Sequence, residues 1–498
     1  MSYARRVAYN TVIQLIGRLL TTGTSLVTVA ILNSGLLPEK WGAYVGLTAY
    51  IAFFATFADL GVNTLYLREL SAKPEEADDI SARFLGFRVV TAVIMLGSAP
   101  LIALALPGYH EFAGFIAILA LGQFFLVLNQ LFVSIVQARL LMGWASLSDL
   151  CGRVLVLIGT VLVFKELPAN QHLLGVTVVT VGGSLLNMAI TYLASRSLVR
   201  VRFVLRPKEW PGLLRELAPM SAFVVFGLIH FKADSVILTI LQPKVDVGIY
   251  GNAYKIAEIY IMLPGMFVGS LFPAFTQTAL HDPQRFRVLF QKAFDLILLS
   301  VVPLILFTVL FAPYIIAVLT RYNIDQSAYA LQILCLTMIP WFVIYLLEYV
   351  LVAAGKQGKV GALEGWAALL NIILNFIAIP HWSYIGAAYV TFISEALVLV
   401  LVARLFIKVF KYIPSLQVVK AVLGGTILTG GLCFGVFTVV SDLLPRYMKF
   451  NRPVEVVFMG VAFILFSGLY ILPAYLLDWL PPVLRDRLPR RMTSKNIW

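Results

Sequence analysis

Apolar positions along this chain come in long unbroken blocks separated by short polar connections, and they do not alternate with polar positions. The blocks fall at roughly 9–32, 42–63, 84–107, 112–138, 147–165, 173–195, 218–241, 247–277, 288–318, 326–354, 359–379, 384–407, 418–440 and 454–477. Each runs for about 20 residues or more, the length that crosses a hydrocarbon core of roughly 30 Å at 1.5 Å per residue. Periodicity alone does not separate a span from a buried core helix, but this length does. The pattern predicts an all-α polytopic membrane protein with about 14 transmembrane helices. An even number puts both termini on one side.

Composition agrees. Hydrophobic residues make up 60% of the 498, against roughly 45–50% in soluble globular chains. Charged residues are 13%, about half the usual share, too few to cover a water-exposed surface. Arg5 and Arg6 precede the first block in the manner of a signal peptide. That block contains Gln14 and Arg18 and runs on to Leu32, too long and too polar for a cleaved segment, so it reads as the first span. Cys151, Cys335 and Cys433 all lie inside apolar blocks, with neither a disulfide framework nor metal-ligand spacing.

The formal net charge of +13 would suggest nucleic acid in a soluble protein; here topology accounts for it. With a cytoplasmic N-terminus, 28 of the 38 Lys and Arg fall on inside segments, 7 on outside loops and 3 within spans. This excess on one side is the orientation signal of membrane insertion, and a missed span would put it out of phase downstream. The longest basic connection, 196–218, contains Arg206-Pro-Lys-Glu-Trp-Pro-Gly-Leu-Leu-Arg-Glu-Leu217, a mixture that suits a short interfacial helix.

That connection also divides the chain. Gly42-Ala-Tyr44 opens the second span and Gly248-Ile-Tyr250 the eighth. Six spans separate them, so the halves share one orientation, as parallel repeats about an axis normal to the membrane do. The expected organisation is a six-helix lobe at 1–200, a basic cytoplasmic linker at 201–217 and a second six-helix lobe at 218–410. Two further helices at 411–480 and a basic cytoplasmic tail at 481–498 complete it.

Ionisable side chains deep in a bilayer cost at least about 2.5–3.5 kcal/mol, so they face a cavity or a partner. Arg18 lies near the middle of the first span, as an anion ligand in a central cavity or as half of a structural ion pair. Lys232 and Asp234 in the seventh span point in roughly opposite directions, one towards a cavity and one towards a neighbouring helix. Lys255 and Glu258 in the eighth share a face and read as an intrahelical ion pair or as a substrate contact. Glu395, mid-way along the twelfth, is a carboxylate for a coupling proton or a partner of a basic residue. Asp59, Asp295, Glu348 and Glu364 sit near cytoplasmic span ends, where snorkelling or loop pairing is expected. Pro219, Pro264, Pro273, Pro303 and Pro340 lie within or at the ends of spans, where breaks allow bending and free carbonyls for a cavity.

Absences narrow the classes. No G-x-x-x-x-G-K-[ST] occurs, so no nucleotide site is expected. The five histidines lack metal-ligand spacing. No outside loop is long enough for a catalytic domain, and nothing resembles a repeated selectivity filter. An enzyme and a channel both lose ground, and no cofactor is implied.

Three stretches carry a family resemblance. The first is Leu37-Pro-Glu-Lys-Trp-Gly-Ala-Tyr44, running on to Asp59-Leu-Gly-Val-Asn-Thr-Leu-Tyr-Leu-Arg68. The second is Lys232-Ala-Asp-Ser-Val-Ile-Leu238 with Gly248-Ile-Tyr-Gly-Asn-Ala-Tyr-Lys-Ile-Ala257 and Leu271-Phe-Pro273. The third is Asn371-Ile-Ile-Leu-Asn375 with Ile379-Pro380, Gly386-Ala-Ala388 and Ser394-Glu395. Together, from Ala4 to Phe410, they resemble the Wzx-type oligosaccharide flippases of the multidrug/oligosaccharidyl-lipid/polysaccharide superfamily. Gly35-Leu36-Leu37 stands where the family more often has Leu-Gly.

The resemblance implies two six-helix lobes around a central cavity, working by alternating access in the cytoplasmic membrane of a prokaryote. Its substrate would be a polyprenyl-diphosphate-linked oligosaccharide, delivered to the outer leaflet. Its partners would be membrane lipid, a polysaccharide polymerase and glycosyltransferases, with no nucleic acid. Arg18, Lys232 and Lys255 then become phosphate-facing cations, and Tyr250, Tyr254 and Tyr260 candidates for stacking on sugar rings. Asp234 or Glu395 would carry the coupling cation, proton or sodium. The alternatives are a cation-coupled multidrug antiporter of the same superfamily and a membrane glycosyltransferase or ligase.

Overall fold

The computed structural model describes residues 3–139, 141–279, 282–420, 422–427 and 466. The expected thirteenth span begins at its edge; most of that span, the fourteenth apart from Phe466, and the basic tail lie outside the described residues. The helices in chain order are α1 (Tyr3–Asp59), α2 (Val62–Ala72), α3 (Ala77–Ala103), α4 (Ala113–Ala138), α5 (Met142–Glu166) and α6 (His172–Ser195). They continue as α7 (Trp210–Leu241), α8 (Lys244–Thr278), α9 (Pro283–Leu319), α10 (Ile324–Leu336), α11 (Met338–Ala353) and α12 (Gln357–Phe410). Among the described residues, eight helical stretches are long and apolar enough to cross a membrane.

Two of these helices each hold two expected spans. α1 has 57 residues, about three times what a bilayer core needs, and it breaks at Leu37 (φ 64°, ψ 162°). Pro38 follows, and a proline ring drives the residue before it out of the helical region. α12, with 54 residues, breaks at Ser383 (φ 47°, ψ −133°), shortly after Pro380. Positive φ at a non-glycine residue is strained, so both kinks are held by their surroundings.

The chain divides into two compact units. The first comprises Met1–Asn252, Leu319–Asn323 and Gln357–Val390. Within it α6 packs on α4 and α5, α1 on α3 and α5, and α3 on α4. Lipid tails are as apolar as leucine, so close backbone approach and interhelical hydrogen bonds hold such a bundle together. Both are present. Gly152 of α5 and Gly183 of α6 meet so closely that a Cβ on either would lie 2.7–2.8 Å from the other's carbonyl oxygen. Thr191 donates to Ser148 at 2.7 Å, and Asn129 donates to Asn187 at 3.2 Å. Each such buried bond contributes roughly 0.6–2 kcal/mol.

Gly17 lies against Ser146, Ser25 against Arg153 and Gly35 against Phe164, so the first segment of α1 runs parallel to α5. The glycines of the two Gly-x-Tyr repeats also meet. A Cβ on Gly42 would overlap the carbonyl oxygen of Lys244, and one on Gly248 would lie 3.3 Å from the Gly42 backbone. Beside this crossing Trp41 donates its indole N–H to Asn252 at 2.8 Å, and Asn33 donates to the same oxygen.

The basic connection is not a separate helix. Residues 201–206 are irregular and are followed by a single 3-10 turn, Pro207–Glu209, and then by α7 from Trp210. Its backbone is tied to α3: Arg200 N–H donates to Asp78 at 2.9 Å, Arg206 pairs with Asp79, and Val204 lies over Gly86. Trp and the following Pro-Gly open α7 directly, so the amphipathic stretch becomes that helix's first turns.

The second unit comprises Ala253–Val318, Ile324–Lys356 and the chain from Thr391. Phe286, Phe290, Phe406 and Phe410 form a stacked aromatic cluster between α9 and the end of α12. Gln291 holds the segment after α12: its amide oxygen accepts from Tyr412 at 2.7 Å and from Ser415 N–H at 2.8 Å, and its amide nitrogen donates to Ser415 O.

Candidate functional site

Arg18 lies on the membrane-length first segment of α1, with its side chain exposed. It belongs to a polar stripe. Gln14 and Arg18 are exposed, Thr22 and Ser25 half-buried, and their spacing of four, four and three residues keeps them on one face of a helix. The hydroxyls nearby are turned back on the helix: Thr21 donates to Arg18 O at 3.1 Å, Ser25 to Thr21 O at 2.8 Å and Thr28 to Thr24 O at 2.8 Å.

Arg153 extends the stripe onto α5. Its guanidinium donates to Ser25 Oγ and, at 3.1 Å, to Asp149. The parallel packing of α1 and α5 sets Arg153 level with Ser25. Its pairing with Ser25 is a tertiary fact, but the Gln14–Ser25 periodicity was a legible signal. The stripe thus carries two guanidinium groups, Arg18 and Arg153, the latter paired with Asp149.

The seventh-span residues separate as their spacing requires. Asp234 is 1% exposed and accepts from Ser235 N–H at 2.6 Å and from the Tyr250 hydroxyl. Lys232 is half-buried, its ammonium 5.1 Å from the centroid of the Phe231 ring. Two of the candidate residues, Asp234 and Tyr250, are thus brought together. Tyr250 is fully buried, its hydroxyl committed to a carboxylate.

In the second unit Lys255 donates to Glu258 at 2.8 Å, the intrahelical pair that their spacing allows. Tyr254 is buried, and the Tyr260 hydroxyl lies 3.1 Å from Thr308. Glu395 is buried at 7% exposure, next to Ser394, whose hydroxyl donates to Thr391 O.

Two carboxylates read as snorkelling groups are not. Asp59 accepts from Arg88, a fully buried guanidinium that also donates to Gln130 at 2.9 Å and to the carbonyl of Ala58 at 3.1 Å. Glu364 is buried against His230. Both expectations rested on position along a span, whereas a neighbouring helix supplied the partner. Asn371 and Asn375 are fully buried, with Asn375 donating to Asn371 at 2.9 Å. No group of three or more His, Cys, Asp or Glu side chains among the described residues is set to hold a metal ion.

Membrane-length helices, kinked beside prolines and carrying ionisable side chains part-way along, define a many-span α-helical membrane protein. The sequence profile described as "Polysaccharide biosynthesis protein" matches residues 6–279, more than half of the chain. The chain belongs to that family of polysaccharide biosynthesis proteins. Among its relatives, a protein of Haloferax volcanii described as "Probable low-salt glycan biosynthesis flippase Agl15" is 22% identical over 373 residues, 74% of this chain and 76% of that one. Among solved structures, "Lipid II flippase MurJ, inward closed conformation" shares the fold with a TM-score of 0.70 at 14% identity, over 93% of this chain and 98% of that one. An inward-facing multidrug resistance MATE family transporter of the MOP superfamily follows with 0.61 at 16% identity, over 78% of this chain and 96% of that one. These relatives are described as flippases and transporters, in keeping with a carrier and not a catalyst.

Proposed function

We propose that this protein is a flippase that moves a polyprenyl-diphosphate-linked oligosaccharide from the cytoplasmic to the outer leaflet by alternating access. The observation that carries the reading is the α1–α5 stripe. A guanidinium part-way along a membrane-length helix is costly against lipid, and Arg18 is the proposed phosphate-facing cation of the stripe. A diphosphate offers several acceptor oxygens to guanidinium groups, whose charge-assisted hydrogen bonds are about twice as strong as neutral ones. Membership of a polysaccharide biosynthesis family, a glycan flippase among the relatives and the lipid II flippase fold support the same substrate class.

Transport is coupled to a cation gradient in this reading, since the sequence offers no nucleotide motif. Asp234 and Glu395, buried carboxylates on different spans, are the proposed carriers, and Lys232 and Lys255 the further phosphate-facing cations. Tyr250, through its hold on Asp234, and Tyr254 are each proposed as substrate-facing groups. The Lys and Arg distribution supports cytoplasmic termini in the cytoplasmic membrane of a prokaryote, with a polymerase and glycosyltransferases acting on either side of the step. The MATE-like fold supports one other reading, cation-coupled antiport of small organic molecules; the basic stripe favours an anionic substrate.

The test is reconstitution of the purified protein in liposomes with a fluorescent polyprenyl-diphosphate oligosaccharide, scored for movement between leaflets. Protein-dependent movement that Arg18→Ala abolishes supports the flippase. Absence of movement, with gradient-driven efflux of organic cations, moves the protein to the antiporter branch.

A further inference from the structure

The irregular segment between α6 and α7 dips along α3 and comes back. Arg200 N–H donates to Asp78 in the first turn of α3. Four residues on, the Val204 carbonyl lies where a Cβ on Gly86 would stand, about 12 Å further along the α3 axis at 1.5 Å per residue. The Arg206 side chain then reaches back to Asp79, one of its bonds being 3.1 Å. Gly86 stands at the head of the apolar block that begins near 84. Residues 203–205 therefore lie level with the boundary of the hydrocarbon core, and the chain on either side of them lies level with the lipid headgroups.

At this low point two large apolar side chains turn away from the protein. Phe203 and Leu205 are 55% and 52% exposed. A core was within reach: Val199 is buried, and Val201 and Trp210 pack on the same apolar cluster as α2, α3 and α4. Leu214, in the second turn of α7, is exposed as well.

Charge completes the pattern. Between 196 and 217 six Lys and Arg face two Glu. Both Glu are matched, Glu209 by Arg206 and Glu216 by Arg68. Arg202, Lys208 and Arg215 are exposed and, among the described residues, form no ion pair. Apolar side chains at the hydrocarbon boundary, with unmatched cations on both sides of them, suit a negatively charged lipid surface. The ties to Asp78 and Asp79 hold the segment in this shape beforehand, so little ordering opposes binding.

We propose that residues 200–208 and the opening of α7 form a docking surface for anionic phospholipid. Phe203 and Leu205 enter the acyl region, and Arg202, Lys208 and Arg215 hold lipid phosphates. The orientation proposed above makes this the cytoplasmic leaflet. The surface is separate from the α1–α5 stripe and serves the protein whichever substrate it carries.

Photocrosslinking of the full chain tests this. Phe203→p-benzoylphenylalanine is reconstituted in vesicles of equal phosphatidylglycerol and phosphatidylcholine, free of any lipid-linked sugar, and its adducts are identified by mass after irradiation. Phosphatidylglycerol adducts should exceed phosphatidylcholine adducts several-fold. Arg202→Gln, Lys208→Gln and Arg215→Gln together, or high salt, should bring that ratio towards the composition of the vesicle. The same label at Ile94, exposed on the apolar part of α3, is the control for lipid contact. Lipid adducts at 94 without any at 203 place the segment away from the membrane and overturn the proposal. Equal yields of the two lipids at 203 overturn it too, because the cations then select nothing. A protein adduct at 203 in native membranes, in place of lipid, assigns the surface to a partner protein instead.

Discussion

Gly42→Ala is the sharpest perturbation of the architecture. The added methyl would overlap the Lys244 carbonyl oxygen and approach Gly248 N at 3.1 Å. Both are backbone atoms, so no rotamer change relieves the clash, and the second segment of α1 must back away from the start of α8. Overpacking of this kind costs roughly 1–3 kcal/mol. The retreat also stretches the Trp41 and Asn33 hydrogen bonds to Asn252, each worth roughly 0.6–2 kcal/mol in a membrane protein. Alanine returns about 1 kcal/mol through helix propensity, leaving a net loss of roughly 1–6 kcal/mol. Gly114→Ala is the matched control: it lies in a helix with nothing within 4 Å of its would-be Cβ, so it gains the propensity and meets no clash. Thermal unfolding of both variants in the same detergent should put Gly42→Ala several degrees below wild type and Gly114→Ala at or above it. Equal midpoints for the two would refute the close crossing.

Arg88→Ala removes a buried guanidinium and leaves Asp59 facing Gln130 without its cation; about 3–5 kcal/mol of stability is lost, and Arg88→Met loses less, as thermal unfolding would register. Arg18→Ala and Arg18→Glu abolish lipid movement in proteoliposomes, and normal movement by both would remove the stripe from the substrate path. The Arg206 guanidinium holds the carboxyl of Asp79, before the apolar part of α3, below the usual carboxylate range. A depressed carboxyl contributes above its unfolded pKa of about 3.9 and ceases to contribute as pH falls through the folded value. Asp79→Asn therefore frees the 200–206 segment at neutral pH, seen as faster trypsin cleavage at Arg202 and Arg206, though the pair is solvent-exposed and the effect small. Gln291→Ala, by removing three hydrogen bonds to the 412–415 segment, raises hydrogen exchange at Ser415.

The sequence by itself determined the class, because a bilayer imposes a length rule that any apolar block obeys or breaks. Block length located the apolar helices up to Phe410 but not all their ends: α7 starts at Trp210, eight residues before its block, and α2 and the break between α10 and α11 were not legible. The i, i+3 spacing of Lys255 and Glu258 was enough for their ion pair. Family membership was also legible, carried by motifs local in the chain. What the tertiary structure decided was every partner supplied by another helix. Nothing near Arg88 in sequence announces Asp59 and Gln130, and Glu364 at a span end looked like a snorkelling group until α7 set His230 against it. The matched Gly-x-Tyr motifs suggested a repeat, but that Gly42 and Gly248 touch is a property of the crossing. Hydrophobic periodicity fixes how a helix lies in the membrane, whereas azimuth and neighbour are set by packing, where the dielectric is low and an unpaired polar group costs most.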